Sequence, residues 1–527
     1  MFVDARTLPA GTTIEASVCI AGAGAAGITL ARAFARSGHK VAVLESGGLD
    51  FDEDTQRLYA GDIVGRSFNP LDVDRLRYFG GTTGHWSGGC RPFDPIDFEP
   101  GPDGGAPGSG WPFGRDTLEP YYRQAQEICQ LGPYAWEPKD WIEDDAGPLP
   151  LGADARLRTS IFQYSPPTRF GQVYRADLER ADAVTVYLHA NVVDIETAAN
   201  AAEAAAFRVA CLDSPASFRV HAKYYVLALG GIENARLLLS SDRVQAGGVG
   251  NARDLVGRFF MDHAEVSGAA SVVFEERAAG ASLPFYDKRR IRGSSVQGFL
   301  HADPETRRRE GLPPFGIGFE PGAPPNKEFA KKSLATLYYS FRSLKIPEHL
   351  GFHVAQIMRG VEWEAESVYR RVTGSSPAFY STVYVCGAPP DPDSRVTLGD
   401  ERDALGMRRV RLDWRLPADF ERHMVRAHEL LAEDLGRAGL GRVRVNSRET
   451  GSEPMAAVGN GSHHMGATRM HRDPAYGVVD ENCRIHSMAN LYVAGSSVFP
   501  SYGIDNPTMT IVALALRLAD HLKPKLV

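Results

Sequence analysis

Residues 16–46 read ASVCIAGAGAAGITLARAFARSGHKVAVLES, and this stretch decides the fold of the chain. The run ASVCIAG predicts a short buried strand, GAAGITLARAFARSG predicts a helix opened by glycines, and HKVAVLES predicts a second strand. Strand, glycine-rich turn, helix and strand in this order form a βαβ unit. The unit predicts a parallel sheet of the Rossmann type near the start of the chain.

The turn of this unit contains Gly22, Gly24 and Gly27, and its second strand ends at Glu45. The first glycine permits a tight turn, the second lets the backbone approach a pyrophosphate, and the third allows the helix to pack closely on the strand. The helix N-terminus favours phosphate groups, and the Glu45 carboxylate can accept hydrogen bonds from ribose hydroxyls. The motif therefore predicts a dinucleotide site. Its position at the start of the chain, with the same domain completed by the far C-terminus, favours FAD over NAD.

Length and composition narrow the class of protein. The chain has 527 residues, of which 43% are hydrophobic and 23% charged, as expected for a globular protein with room for two large domains. Its net charge is −7 and no basic stripe is visible, so we expect no nucleic-acid partner. The six cysteines are not spaced like the ligands of a metal ion, so we expect neither a metal site nor a disulfide framework. The N-terminus lacks a signal-peptide pattern and no stretch is apolar enough to span a membrane, so a cytoplasmic protein is expected.

The hydrophobic pattern changes along the chain and predicts three regions. An α/β domain of Rossmann type is expected to combine residues 1–95, 160–265 and 456–527, because nucleotide-domain patterns occur at both ends of the chain. Residues 96–159 are rich in Gly, Pro and Asp and predict a loop-rich segment that covers the cofactor. Residues 266–455 contain alternating strands, which predict an inserted substrate domain of antiparallel sheet plus helices. The fold class is therefore α/β, or α+β when both domains are considered.

Four further segments resemble the glucose–methanol–choline (GMC) oxidoreductases. They are GGTTGHW at 80–86, VLALGGIENARLLL at 226–239, HHMGATRM at 463–470 with the GVVDENCRIHSMANLYVAGSSVFP that follows, and GIDNPTMTIVALALRLADHL at 503–522. They occur in the family's order across almost the whole chain. The HWxGG and Phe260-Met261-Asp262-His263 variants resemble pyranose oxidases and bacterial sugar or polyol dehydrogenases more closely than choline or aryl-alcohol enzymes.

The resemblance implies an elongated, buried FAD between the two domains. It places along the cofactor the glycine-rich loop residues Gly80, Gly81, Thr82, Thr83, His85 and Trp86. It places there also Ala26 of the first turn, Val193 or its neighbour Val192, Asp480, Gly495 with Ser496, and Asn506, Pro507 and Thr508. His85 matches the position from which pyranose oxidases can form a covalent bond to the flavin, although Gly84 replaces their flanking Thr. A covalent bond and a histidine packed beside Trp86 against the ring are both compatible with the sequence.

The resemblance also selects a catalytic pair. The family's essential histidine precedes the Arg-Met of its motif by six positions, which here gives 469 − 6 = 463 and selects His463 over His464. A histidine suits a general base because its pKa lies near operating pH. If the segment is extended, only one of the two rings faces the flavin, and His464 is the substitute. Arg469 is expected to brace the segment rather than touch substrate.

The partner position is Asn506, whose amide can donate to a substrate oxygen without competing as a base. The sequence Asn506-Pro507-Thr508 also resembles a helix N-cap followed by proline, so capping is an alternative role for this asparagine. The two roles are compatible. The helix N-terminus would then present partial positive charge to the N1–C2 edge of the flavin.

The function implied by the resemblance is FAD-dependent oxidation of an alcohol group on a sugar, glycoside or polyol, with His463 as general base. The alternatives are a non-sugar alcohol oxidase or dehydrogenase of the same family and a lyase that uses FAD without net redox change. The expected partners are a small-molecule substrate and an electron acceptor, which could be oxygen, a quinone or a redox protein. The chain could also form a homo-oligomer.

Overall fold

The computed structural model describes residues 1–100, 109–143, 146–214, 217–276, 282–322, 379–446 and 458–526, together with isolated positions between 330 and 365. In chain order the strands are β1 (Phe2–Asp4), β2 (Thr13–Ala21), β3 (Val41–Leu44), β4 (Gly61–Ile63), β5 (Gly89–Cys90), β6 (Leu157–Tyr164), β7 (Val184–Leu188), β8 (Asn191–Thr197), β9 (Ala204–Ala210), β10 (Ser217–Leu227), β11 (Ala264–Phe274), β12 (Arg289–Ile291), β13 (Ser294–Ala302), β14 (Phe315–Pro321), β15 (Tyr380–Cys386), β16 (Arg395–Arg402), β17 (Arg408–Asp413), β18 (Gly441–Val445), β19 (Gly459–Asn460) and β20 (Leu491–Val493). The α-helices within the described ranges are α1 (Ala25–Phe34), α2 (Glu53–Gln56), α3 (Glu119–Ile128), α4 (Phe170–Val173), α5 (Arg175–Glu179), α6 (Glu233–Ser240), α7 (Pro304–Glu310), α8 (Phe420–Arg437) and α9 (Thr508–Leu522).

The first sheet contains the βαβ unit that the sequence predicts. Strand β2 pairs in parallel with β3, and β3 pairs in parallel with β7. On its other side β2 pairs in parallel with β10, which also takes the C-terminal strand β20 in parallel. Every residue of β3 is buried, as expected for a strand covered on both faces. Helix α1 packs against α9, so the two ends of the chain complete one α/β layer structure. The predicted fold class is confirmed.

The second sheet is antiparallel and has the strand order β18-β11-β15-β14-β13-β6-β5, with β12 on β13 and β19 on β11. Strands β11, β13 and β15 contain the alternating segments that predict this sheet. Helix α8 packs against β18. Its buried side chains recur at helical spacing, including Met424, His428, Leu431 and Leu435.

Sheet membership differs from the expected ranges at two places. Strand β6 overlaps the range 160–265 that we expect in the FAD domain, yet it pairs along its whole length with β13 of the second sheet. Strands β16 and β17 lie in the expected substrate domain, but they form a small separate sheet in which β17 pairs with β4. In both places the sheet to which a strand belongs depends on a pairing partner that is distant along the chain. Local sequence patterns do not show such partners. The domain ranges themselves stay a prediction.

The segment 96–159 contains more regular structure than expected, because residues Glu119–Ile128 form α3. The helix packs against α9, and the Tyr122 hydroxyl lies 2.9 Å from the Thr510 hydroxyl. One of its buried side chains, Gln126, is polar, so the sequence of the helix lacks the regular apolar spacing from which a buried helix face is predicted. Residues 348–372, whose sequence pattern predicts a long helix in the inserted domain, lie largely outside the described residues. Among the helices that the structure describes, none has the length and apolar character needed to cross a membrane.

Candidate active site

A cavity of about 560 Å³ lies between the first sheet and the segment that contains the two adjacent histidines. It gathers most of the residues that the sequence places along a cofactor. Lining it are Gly22, Gly24, Ala26, Glu45, Gly81, Thr82, Thr83, His85, Trp86, Val192, His463, His464, Gly495, Ser496, Asn506, Pro507 and Thr508. Gly27, Gly80, Val193 and Asp480 are not among the lining residues.

The glycine turn has the geometry of a phosphate cradle. Gly22 has φ +99°, and a Cβ there would lie 2.5 Å from the carbonyl oxygen of Ala228. A Cβ on Gly27 would lie 1.9 Å from the carbonyl oxygen of Gly22, so this glycine serves close packing rather than the cavity surface. A Cβ on Gly24 would meet nothing within 4 Å, and α1 begins directly after it without a side-chain cap. Its first backbone N–H groups are therefore available to an anion, as a dinucleotide pyrophosphate requires.

The Glu45 carboxylate supports this turn from inside the protein. It accepts hydrogen bonds from the backbone N–H groups of Ala23 and Gly47, each at 2.9 Å, and from the Ser46 hydroxyl. Burial raises the pKa of Glu45, and these backbone hydrogen bonds oppose the shift. A carboxylate oxygen can accept more than one hydrogen bond, and Oε2 accepts only from Ala23 among the described residues, so Glu45 keeps capacity for a ribose hydroxyl.

The glycine-rich loop lies against the same turn. The Gly80 N–H donates to the Ala23 carbonyl oxygen at 2.8 Å, and the Thr83 hydroxyl donates to the Gly80 carbonyl oxygen at 2.6 Å. The Trp86 indole donates to the Thr168 carbonyl oxygen, and its ring packs edge-on against Phe170. Desolvation lowers the pKa of His85, which favours its neutral form. Gly80 thus joins the loop to the nucleotide turn without lining the cavity.

The two adjacent histidines bind different partners. The Nδ1 atom of His463 lies 2.7 Å from Nδ1 of His263, and its backbone N–H donates to the Asp262 carboxyl at 2.8 Å. The Nε2 atom of His464 lies 3.3 Å from the Asp74 carboxylate. Burial lowers the pKa of both His463 and His464. Both residues line the cavity. Of the two rings, the one hydrogen-bonded to a carboxylate is that of His464.

The carboxylate of Asp74 fixes the position of the His464 ring. Burial would raise the pKa of this carboxyl, but hydrogen bonds from His464, Ser462 and Asn69 lower it to about 2. The His464 ring also lies between Phe68 and Phe260, at centroid distances of 5.6 and 5.9 Å. His464 is therefore committed to a buried hydrogen bond with Asp74 and to packing between the two aromatic rings.

Asn506 does not cap the C-terminal helix. The helix begins at Thr508, with Pro507 as the preceding residue and no side-chain cap. The Asn506 amide instead donates to the Gly89 carbonyl oxygen at 3.1 Å, which turns it toward β5. The capping prediction is wrong, because the described hydrogen bonds of the Asn506 side chain include none from a backbone N–H of this helix to its Oδ1 atom. The second N–H of the amide remains for another acceptor.

Several residues of the site are not apparent from local sequence patterns. Arg75, Arg77, Glu233 and Tyr59 line the cavity, and the Arg75 guanidinium lies 4.0 Å from the Tyr59 ring centre. They come from separate segments, so only Glu233, inside the ENARLLL motif, carries a sequence signal.

Two expected positions have structural roles instead. The Asp480 carboxylate accepts from the N–H groups of Asn482 and Arg484 in a tight turn outside the cavity. Arg469 is buried, its guanidinium lies 4.2 Å from the Phe259 ring centre, and desolvation lowers its pKa to about 10. Its position agrees with the predicted bracing role.

A parallel sheet whose glycine turn opens into a cavity with a histidine and an amide is the arrangement expected of a dinucleotide-dependent oxidoreductase. Comparison with known proteins agrees. A family model described as GMC oxidoreductase matches residues 390–515. The fructose dehydrogenase large subunit of Gluconobacter japonicus is 25% identical, over 97% of this chain and 98% of its own length. The 6'''-hydroxyparomomycin C oxidase of Streptomyces lividus is 28% identical, over 96% of this chain and 91% of its own length.

Among solved structures, pyridoxine 4-oxidase from Mesorbium loti has the same fold, with a TM-score of 0.60 at 18% identity, covering 96% of this chain and 98% of its own. Residues 390–515 match the GMC oxidoreductases, as the quoted motifs predict, and the protein is an FAD-dependent oxidoreductase. The family implies FAD as the cofactor, and the open cradle at Gly24 fits its pyrophosphate.

Proposed function

We propose that the protein oxidises an alcohol group on a sugar, glycoside or polyol, with His463 as the general base. FAD, when bound, supplies a hydride acceptor at its N5 atom. His463 accepts the proton of the substrate hydroxyl, and the free N–H of Asn506 orients the hydroxyl oxygen. The backbone N–H groups at the start of α9 add partial positive charge at the cavity, which favours negative charge there.

One observation carries this proposal: His463 and Asn506 line the same cavity as both glycine-rich loops. Their hydrogen bonds within the protein leave each with one group for a substrate. The sugar or polyol preference is supported by the names of relatives, since one is a fructose dehydrogenase and another oxidises hydroxyparomomycin C.

Anaerobic mixing with a panel of sugars, glycosides, polyols and simple alcohols tests the proposal. We expect at least one polyhydroxylated compound to bleach the FAD absorbance at about 450 nm faster than simple alcohols do. Bleaching by simple alcohols alone would favour the non-sugar alternative. Substrate turnover without bleaching would favour a lyase. Re-oxidation of the reduced protein by oxygen, a quinone or a cytochrome then identifies the class of electron acceptor.

We also propose that His85 contacts the flavin ring, through a covalent bond or by packing. Acid precipitation of the purified protein separates the two: free FAD in the supernatant indicates packing, and yellow precipitate indicates a bond. If the bond exists, we expect His85→Ala to release all FAD into the supernatant. A precipitate that stays yellow in this variant would exclude His85 as the attachment point.

Gly89 provides a test of the role of Asn506. A Cβ at this position would lie 2.8 Å from the Asn506 amide nitrogen, so Gly89→Ala should displace that amide. Because a small misplacement of a positioning group can cost up to about 100-fold, we expect flavin reduction to slow about 10- to 100-fold. Stopped-flow reduction measures the effect. Gly114→Ala is the control, because a Cβ there meets nothing within 4 Å. An unchanged rate in Gly89→Ala would argue that Asn506 has no part in orienting the substrate.

A further inference from the structure

His263 and His463 form a hydrogen-bonded pair at the edge of the cavity. Their Nδ1 atoms are 2.7 Å apart, and the ring centres are 4.9 Å apart with nearly perpendicular planes. The other ring nitrogen of His263, Nε2, lies 2.8 Å from the carbonyl oxygen of Gly503. His263 is fully buried, and Tyr502 packs on its ring.

The chemistry of these contacts fixes where the protons are. A carbonyl oxygen only accepts hydrogen bonds, so Nε2 of His263 must carry a proton and donate it to Gly503. Burial lowers the pKa of His263 to about 4, so its ring is neutral and holds no second proton. Its Nδ1 atom is therefore an acceptor, and among the described residues the donor that faces it is Nδ1–H of His463.

We propose that His263 is a positioning residue that holds His463 as the Nδ1–H tautomer, leaving the Nε2 lone pair toward the substrate. This inference rests on the proposed role of His463 as base. Deprotonation of the hydroxyl puts the proton on Nε2 of His463, and the resulting imidazolium still donates through Nδ1 to His263. The two nearby carboxylates of the described chain bind other groups: Asp262 accepts from the His463 backbone N–H, and Asp74 binds the His464 ring.

The orientation of the ring agrees with this assignment. A Cβ on Gly461 would lie 3.0 Å from Nδ1 of His463 and 2.9 Å from Cβ of His263, so the Nδ1 edge faces protein. Since His463 lines the cavity, the opposite edge, which carries Nε2, is the one left to face it. A general base needs an unprotonated nitrogen on that side.

Two substitutions separate the two hydrogen bonds of His263. An asparagine oxygen lies close to where Nδ1 of histidine lies, whereas a glutamine amide reaches the place of Nε2. His263→Asn therefore keeps the acceptor for His463 and loses the bond to Gly503, and His263→Gln does the reverse. We expect His263→Gln to slow flavin reduction about 10- to 1000-fold with little change in substrate Kd, because a base in the wrong tautomer loses most of its activity. His263→Asn should stay within about 10-fold of the unsubstituted protein.

Stopped-flow reduction of the FAD-loaded protein at several substrate concentrations separates the limiting rate from Kd. His428→Phe is the matched control, since His428 is equally buried with both ring nitrogens bonded, to Met424 and Thr382, but does not line the cavity. Equal rates for the Asn and Gln variants would overturn the inference. If no alcohol reduces the unsubstituted protein, the proposed function fails first, whereas an inactive His463→Ala with an active His263→Gln removes only this inference.

A measurement without substitution of His263 covers the case in which a variant does not fold. In FAD-loaded protein labelled with 15N-histidine, the ring signals absent from His463→Ala belong to His463. We expect its Nδ1 shift to be that of a protonated nitrogen and its Nε2 shift that of an unprotonated one. The reverse pattern would overturn the tautomer assignment.

Discussion

Replacing His463 with alanine is expected to slow flavin reduction by about 100- to 10,000-fold, the usual contribution of a general base. FAD binding should persist, because the nucleotide turn and Glu45 lie on other segments and do not depend on this ring. Stopped-flow reduction under anaerobic conditions measures the rate, and the flavin absorbance of the purified variant measures cofactor content.

His464→Phe is the control, because it removes the neighbouring histidine while retaining a ring between Phe68 and Phe260. Its main effect should be on stability, since the buried carboxylate of Asp74 loses a partner. If His464→Phe slowed reduction more than His463→Ala did, the roles of the two histidines would have to be exchanged.

The nucleotide turn is predictable from the sequence because all of its parts are local. The glycines, the preceding strand and the acid at the end of β3 lie within one βαβ unit, and each has a backbone reason to be there. The antiparallel strands β11, β13 and β15 are predictable for a similar reason, since their residues alternate along each strand.

The contacts that organise the histidines are not local. His263 and His463 are 200 positions apart, and they meet because β11 pairs with β19 and Met261 bridges to Met465. The Asn506-Pro507-Thr508 pattern illustrates the opposite case, in which a local rule predicts a helix cap. The structure shows instead that the amide donates to the Gly89 carbonyl, 417 positions away. The local rule fails here because a tertiary hydrogen bond orients the side chain at a cavity wall, and local sequence does not show that contact.

These distant segments meet at one place for a topological reason. In open α/β sheets, ligands bind beyond the carboxyl ends of the strands. The chain leaves β2 at Gly22, β3 at Glu45, β10 at Ala228 and β20 at Ala494, and all four residues line the cavity. Three charged residues, Arg75, Arg77 and Glu233, also line the cavity.

The Glu233 carboxylate is buried against three guanidinium groups. Its oxygens lie 3.0 Å from Arg75, 3.3 Å from Arg77 and 3.2 Å from Arg236. Burial alone would raise the pKa of Glu233, but the three positive charges outweigh it and lower the pKa to about 2. Of the three, Arg236 has a second carboxylate partner in Asp403, at 2.6 Å.

Glu233→Gln keeps the shape of the side chain and removes its charge, which leaves the guanidiniums without their common partner. Removing one member of a buried ion pair typically costs about 3 to 5 kcal/mol, and we expect a loss of that size in the free energy of unfolding. Urea unfolding of the FAD-loaded protein measures it. Glu179→Gln is the control, because its ion pair with Arg175 is about half exposed and is worth less than about 1 kcal/mol.

The pH dependence of this difference follows from the depressed pKa of Glu233. An unfolded glutamate titrates near about 4.3, so the stabilisation by the carboxylate is fully present above that pH. It is lost as the pH falls toward the folded pKa of about 2. Glu233→Gln and the unsubstituted protein should therefore differ by a constant amount from pH 5.5 to 7 (about one unit above the unfolded value) and converge in acid. A difference that stayed constant down to pH 3 (about one unit below that value) would mean that the lost stability comes from packing rather than from the charge of Glu233.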